Sequence, residues 1–423
     1  MNNVAIRARE ATKKVFLFGA MLCMLVACNG GNGVTQPKKL KLNSTEKELV
    51  NHCNDFSFNL LAQVASDDKS ENVVLSPLSA SMLLGMLMNG ADGETLAQMQ
   101  VVTGFGSDVA IEDINAYYRQ LMDVLPALDK YTNVNIANGI WVREDFPVRE
   151  TFVEACKKNF DAEAKNVPTF MDDKVLDEIN KFAAKHTNNR IKKVIDRGMV
   201  NENTAMALLN ALYFKSIWDV KFKKSNTNKQ AFTTLKGENI QTDMMHNTEE
   251  WQYGESKEYQ LVELPYKGGA YCADIVLPAK DIDVRTWVKS LNAESWENMV
   301  SEKMKTEVAL SLPKFSLNYS RKLNDDLKTI GMTDAFDELK ANFYRLSETP
   351  SFLDLIQQYT SLQVDEEGTE AAAVTVGIVA PKASCPDFAT LTVDRPFLFV
   401  IREREYGTIL FTALIGHPEW QKQ

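Results

Sequence analysis

Four histidines, His52, His186, His246 and His417, are the first residues to weigh for chemistry. None lies two to four residues from another His or a Cys, so the local pair that usually opens a metal site is missing from the sequence. There is no GxSxG, HExxH, Walker loop or GxGxxG. A Ser/His/Asp triad can be dispersed along a chain, so a hydrolase stays open, but no motif supports one. No catalytic residue, metal or cofactor is expected. Two other features stand out. Asn210 interrupts "ALLNALYF", where a buried amide must find partners for its donors and acceptor. It reads either as a satisfied structural Asn or as a polar latch on a movable element. Residues 364–388, "VDEEGTEAAAVTVGIVAPKASCPDF", carry two conflicting local preferences. Glu366, Glu367, Glu370 and the alanines suit a helix, whereas Val374, Thr375, Val376, Ile378 and Val379 suit a strand. Pro381, a single Lys382 and Cys385 follow.

The elements that would position these residues form an α+β arrangement. Helices dominate early. Ser76 is placed as an N-cap with Pro77 in the first turn, and Leu78, Met82, Leu83, Met86 and Leu87 recur at helical spacing as a core stripe. Residues 148–160 and 173–187 are two more amphipathic helices. Strands dominate later. "TAMALLNALYF" is apolar on both faces and reads as a central, fully covered strand, and "YCADIVLP" as another. Pro313 interrupts "VALSLPKFSL" and predicts a bend or bulge. Residues 397–416 read as a hairpin around a charged turn at 402–407. From about Glu46 onward there is no linker, repeat or charge block, which favours one large domain over 46–423.

The first 27 residues read as a targeting segment. Arg7, Arg9, Lys13 and Lys14 precede "VFLFGAMLCMLVA", a run too short to be a comfortable membrane span. "LVAC" at 25–28 resembles the bacterial lipobox, which implies cleavage before Cys28 and a lipid on its thiol; the alternative is an ordinary secretory signal. Residues 28–45 then read as a flexible tether. A lipid-anchored protein of the cell envelope is expected. The glycines after Asn29, in place of an acidic cluster, leave either membrane face open. Cys53, Cys156 and Cys272 have no metal spacing and read as small buried hydrophobes. The net charge of −10 argues against nucleic acid as a partner.

At residues 364–375 a resemblance becomes specific. "VDEEGTEAAAVT" is similar to the hinge of inhibitory serpins: charged residues, then Gly, Thr, Glu and a run of small side chains. "NVVLSPLSASMLLGMLMNGADGET", "NALYFKSIWDVKF", "MMHNTEEWQY", "LVELPYKG", "LSLPKFSLNYSRKLNDDLKTIGMTDAF", "DRPFLFVIRE" and "GTILFTALIGHP" also resemble serpin segments in order. The resemblance spans roughly residues 46–418. It implies a suicide inhibitor: a target protease attacks an exposed loop (about 366–390), the cut loop enters the main sheet as a new strand, and the attached protease is carried away and distorted. It also implies helices packed on a large central sheet, a monomer, and target proteases as partners.

The residues can be tested against that implication. An inserting strand must present small side chains to the packed face. Thr369, Ala371, Ala373, Thr375, Gly377 and Val379 share one parity and carry no charge. Glu370, Ala372, Val374, Val376, Ile378 and Ala380 share the other, and the charge of Glu370 falls on this outward set. No Pro occurs between Thr369 and Ala380. Counting along the family's loop puts the scissile bond at Lys382–Ala383, flanked by Ala380 and Pro381. From Thr369 to Lys382 an extended chain reaches about 46 Å. Lys382 suits a trypsin-like pocket; Val379, Ala380 and Ala383 leave elastase-like enzymes open, and cysteine proteases of basic specificity also fit. The resemblance further implies a latch under the sheet at Ser76, Ser79, Asn210 and Gln358, and entry of the loop past Trp218 and Thr227. Gln358 departs from the family's His, though its amide can both donate and accept. A non-inhibitory serpin acting as a binding module is the competing reading.

Overall fold

A computed structural model describes residues 38–369 and 388–421. The first quarter holds α1 (Ser44–Asp67), β1 (Asn72–Leu75), α2 (Pro77–Met88), α3 (Gly93–Val102) and α4 (Ile111–Val124). Strands and helices then alternate through β2 (Asn133–Arg143), α5 (Glu150–Phe160), β3 (Glu163–Val167), α6 (Asp173–His186) and β4 (Met206–Ile217). β5 (Asn228–Thr233), β6 (Asn239–Glu255), β7 (Tyr259–Pro265) and β8 (Tyr271–Pro278) follow, then the short α7 (Val284–Trp287) and α8 (Ala293–Ser301). The last stretch has β9 (Met304–Pro313), β10 (Phe315–Lys322), α9 (Asn324–Thr329), β11 (Gln357–Val364) and β12 (Gly368–Thr369). It closes with β13 (Ala389–Thr392), β14 (Phe397–Glu403) and β15 (Ile409–Ile415).

Two sheets organise these elements. The central one is six-stranded and mixed, in the order β10-β11-β12-β4-β2-β3, with only β2 and β3 parallel neighbours. The other runs β1-β15-β14-β8-β7-β6-β9-β13, with β5 paired to β6. α2 lies between the sheets, against β4 and β15. All its residues but Leu83 are buried, as its nearly all-apolar sequence requires. Ser76 caps it, its Oγ accepting from the Ser79 amide at 3.4 Å, and Pro77 opens it. The opposite face of the central sheet is covered by α6, whose Val175, Ile179 and Phe182 pack on Ala137 and Trp141 of β2.

Several expectations are met by these elements. β8 is buried at every position, β14 and β15 form the C-terminal hairpin, and Cys53, Cys156 and Cys272 are buried free thiols. Three expectations need correction. Pro313 marks a change of sheet rather than a bend: β9 ends on it, and β10 starts two residues later in the central sheet. β4 is central but not fully covered. Its first half, through Asn210, is only half-buried, and among the described residues β12 pairs with β4 only at Ser216 and Ile217. Packing also starts before Glu46, at the C-terminal end of the expected tether. Leu40 is 1% and Leu42 7% exposed, the Lys38 amide donates to the Ala127 carbonyl at 2.8 Å, and Asn43 and Glu46 form a capping box on α1. Two leucines in "KKLKLNST" supply the apolar surface for this.

Candidate functional site

β11 ends at Val364 and the chain turns at once. Asp365 Oδ1 accepts from the amides of Glu367 at 2.9 Å and Gly368 at 3.3 Å, and the Asp365 amide donates to the Gly368 carbonyl at 3.0 Å. Gly368 has φ +156°, and a Cβ there would sit 2.2 Å from the Ser216 carbonyl oxygen, so only glycine lets the chain lie this close to β4. Gly368 and Thr369 then run as β12 between β11 and β4, antiparallel to both. The Thr369 side chain faces the core: the residue is 2% exposed, and its hydroxyl meets that of Tyr266 at 2.5 Å. This is the face the parity argument assigned to it. The expected exposed loop therefore starts later than residue 366, because Glu366, Glu367, Gly368 and Thr369 are all buried.

The turn is held from the end of β4. Trp218 donates its amide to the Glu367 carbonyl and its indole Nε1 to the Asp365 carbonyl, both at 2.9 Å. Its ring stacks on Tyr266, with centroids 4.6 Å apart and planes 8° from parallel. The Phe222 amide donates to the Glu366 carbonyl at 3.0 Å, and Thr227 Oγ1 donates to Glu366 Oε1 at 2.8 Å. Trp218 and Thr227 thus both touch the hinge. Two carboxylates this buried need cations. Lys314 Nζ sits 2.9 Å from Glu366 Oε2, and Lys221 pairs with Glu367. Burial works against ionisation of Glu366, but the Lys314 and Thr227 side chains and a backbone amide outweigh it and hold this carboxyl below its ordinary value. Burial raises the Asp365 carboxyl instead, only partly offset by the amides it accepts.

Past Thr369, no described residue fills the space between β4 and β11. A cleft with about 40 Å³ of free space lies there, lined by Leu208, Leu209 and Asn210 on one side and Gln357, Gln358 and Tyr359 on the other, with Ser79 below. That is room for one to a few waters. Ser79, Asn210 and Gln358 line this cleft, while Ser76 is joined to it only through Gln358, and the bonds fall into two separate pairings rather than one latch. On the β11 side, Gln358 Nε2 donates to the Ser76 carbonyl at 2.8 Å and its Oε1 accepts the Ser76 amide at 3.1 Å. On the β4 side, Asn210 Nδ2 donates to Asn138 Oδ1 at 2.8 Å, while the buried Asn210 Oδ1 has no hydrogen-bond partner among the described residues. The Gln358 amide therefore holds the start of α2 by its backbone. Among the described residues no direct pairing joins β4 to β11, and β12 alone stands between them.

Sequence reasoning did not anticipate Asn138, Lys221, Tyr266, Lys314 or Asp365. Asp365 followed by Gly368 was a local turn signal; the others become partners only through sheet register. Glu370, Ala371, Ala372, Ala373, Val374, Thr375, Ala380, Pro381, Lys382, Ala383 and Cys28 lie outside the described residues.

The comparisons agree with this arrangement. The family model described as serpin (serine protease inhibitor) matches residues 51–418. Human neuroserpin (Homo sapiens) is 33% identical over 377 residues, covering 86% of this chain and 90% of neuroserpin. The native-state structure of the thermophilic serpin tengpin aligns with a TM-score of 0.81 at 29% identity, over 90% of this chain and 96% of tengpin. Thyroxine-binding globulin in complex with thyroxine aligns with a TM-score of 0.78 at 25% identity, over 88% of this chain and 99% of that one. The chain belongs to the serpin family, generally protease inhibitors, and has its fold of helices on a large mixed central sheet.

Proposed function

We propose that this protein inhibits trypsin-like serine proteases by inserting its cleaved loop between β4 and β11. The observation that carries the reading is β12. Thr369 of the hinge is already paired on both edges and Gly368 with β4, and the cleft lies farther along the same two strands, between 208–211 and 356–359. The strand following Thr369 would continue antiparallel to both neighbours, where each amide can bond to a strand on either side. Asn210 Oδ1, buried without a partner among the described residues, and the half-buried first half of β4 would gain partners and cover. Lys382 is the bait residue. Its cation matches a protease pocket with a buried carboxylate, and acylation occurs at the Lys382 carbonyl with Ala383 leaving.

The test is to mix the protein with trypsin and run a denaturing gel. A band at the summed mass that survives boiling is expected. Clean cleavage after Lys382 with trypsin still active would overturn the reading and favour a non-inhibitory binding protein, a role that the alignment with thyroxine-binding globulin illustrates within this fold. A trapped elastase-like or cysteine protease, with trypsin untouched, would move the bait to another residue. The protein further reads as a lipoprotein of a bacterial cell envelope, anchored through Cys28. Cys28→Ala should release it from the membrane fraction and abolish labelling by a fatty acid; unchanged fractionation would remove the anchor from the account.

A further inference from the structure

Trp420 is a large aromatic side chain left 46% exposed near the C-terminus. It is held in a defined place. The Ser316 amide donates to the Glu419 carbonyl at 2.8 Å, the Gln421 amide to the Ser316 carbonyl at 3.1 Å, and the Asn318 amide to Gln421 Oε1 at 3.0 Å. These bonds lay the tail along the open edge of β10, the outermost strand of the central sheet, with Trp420 bridged to Ser316. The indole then stands over Lys314, two residues earlier in the chain, with the ammonium 5.0 Å from the ring centroid. The same ammonium pairs with Glu366 at 2.9 Å, and Glu366 accepts from Thr227 and, through its carbonyl, from the Phe222 amide.

We propose that Trp420 is a positioning residue for the hinge, acting through Lys314. A lysine side chain is long and loses much rotamer freedom when ordered. The Lys314 side chain is 23% exposed, and among the described residues Glu366 is its only carboxylate within 4.0 Å. One carboxylate alone does not fix the path of so long a side chain. The indole face gives the ammonium a second contact in the same orientation that reaches Glu366. The C-terminal tail thereby fixes the cation on which the buried hinge carboxylate depends. The effect concerns the resting hinge and stands whether or not the protein traps a protease.

The test is amide hydrogen exchange on the intact protein, with no protease present. The Trp218 and Phe222 amides donate to the hinge carbonyls of Glu367 and Glu366, so their exchange reports release of the turn. Trp420→Leu keeps the bulk and removes the π face. It should speed exchange at both amides about two- to fivefold, and Trp420→Phe should restore near-native rates. In a Lys314→Met background, Trp420→Leu should add nothing further at these two amides. Unchanged exchange in Trp420→Leu would overturn the proposal. So would an equal acceleration in the Lys314→Met background, or one matched at the Ser316 amide, since either would mean that the tail acts by its backbone pairing.

Discussion

Thr369 is a side chain that the hinge commits to the core, 2% exposed. Its hydroxyl meets Tyr266, and that ring is itself stacked under Trp218. An arginine there would have to bury a guanidinium in the core. Thr369→Arg should therefore block insertion and turn the inhibitor into a substrate. On the gel, the boiled complex with trypsin should disappear and only cleaved protein should remain. A persisting complex would mean that this face is not the one that packs. Glu366 and Glu367 were the hardest residues to read from sequence. Acidic side chains beside Gly suggest a solvated turn, and nothing local shows that Lys314 and Lys221 will be brought against them. The Thr369 parity, by contrast, was legible, because a strand's alternation survives any uncertainty about its neighbours.

At the scale of elements, α2 and β11 are joined through one amide. Gln358 holds both the carbonyl and the amide of Ser76, at the point where α2 starts. Gln358→Ala would leave the buried Ser76 amide unpaired, at a cost of about 1–3 kcal/mol, while the Ser76 carbonyl would keep the Ala80 amide at 3.1 Å. The mutant should melt lower in its intact form and should convert without protease to the loop-inserted form faster on warming; an unchanged conversion rate would separate this pair from sheet opening. α2, β8 and the C-terminal hairpin were legible because cap residues and apolar periodicity are local signals. The uncovered half of β4 was not. An apolar strand looks alike in sequence whether it is buried or half-buried, and the only local hint was the polar Asn210.

The whole molecule also contains a charged core that the sequence did not foreshadow. In the nine-stranded sheet, Glu263 and Asp274 are buried against Lys303 and Arg402, with Arg404 closing on Glu263 from the surface. Burial opposes ionisation of Glu263, but Lys303 and Arg402 outweigh it and hold its carboxyl well below the ordinary 4.5. A carboxyl lowered on folding contributes stability that is complete above its unfolded value and is lost as pH falls below it. Acid should therefore destabilise the protein progressively below about pH 4.5, measured as a falling denaturation midpoint. Glu263→Gln should flatten that dependence while costing about 3–5 kcal/mol at neutral pH, because two buried cations lose a partner. A mutant as acid-sensitive as the parent would assign the dependence to other carboxylates.

Gly368 and Thr369 have one more consequence, for measurement of length. Because the hinge is clamped by Trp218, Thr227 and two lysines before any bond is cut, it acts as the zero mark of a ruler. Each residue beyond Thr369 adds about 3.3 Å of travel and also reverses the face on which the next side chain lands. Length and phase are therefore coupled. Removing two residues between 370 and 382 should shorten the travel by about 7 Å and leave the inward set small, so the trypsin complex should still form but decay sooner. Removing one residue shortens it by half as much, yet turns the outward set inward beyond the deletion. If the deletion lies just after Thr369, the clamp at the pole makes that smaller change reach every later position.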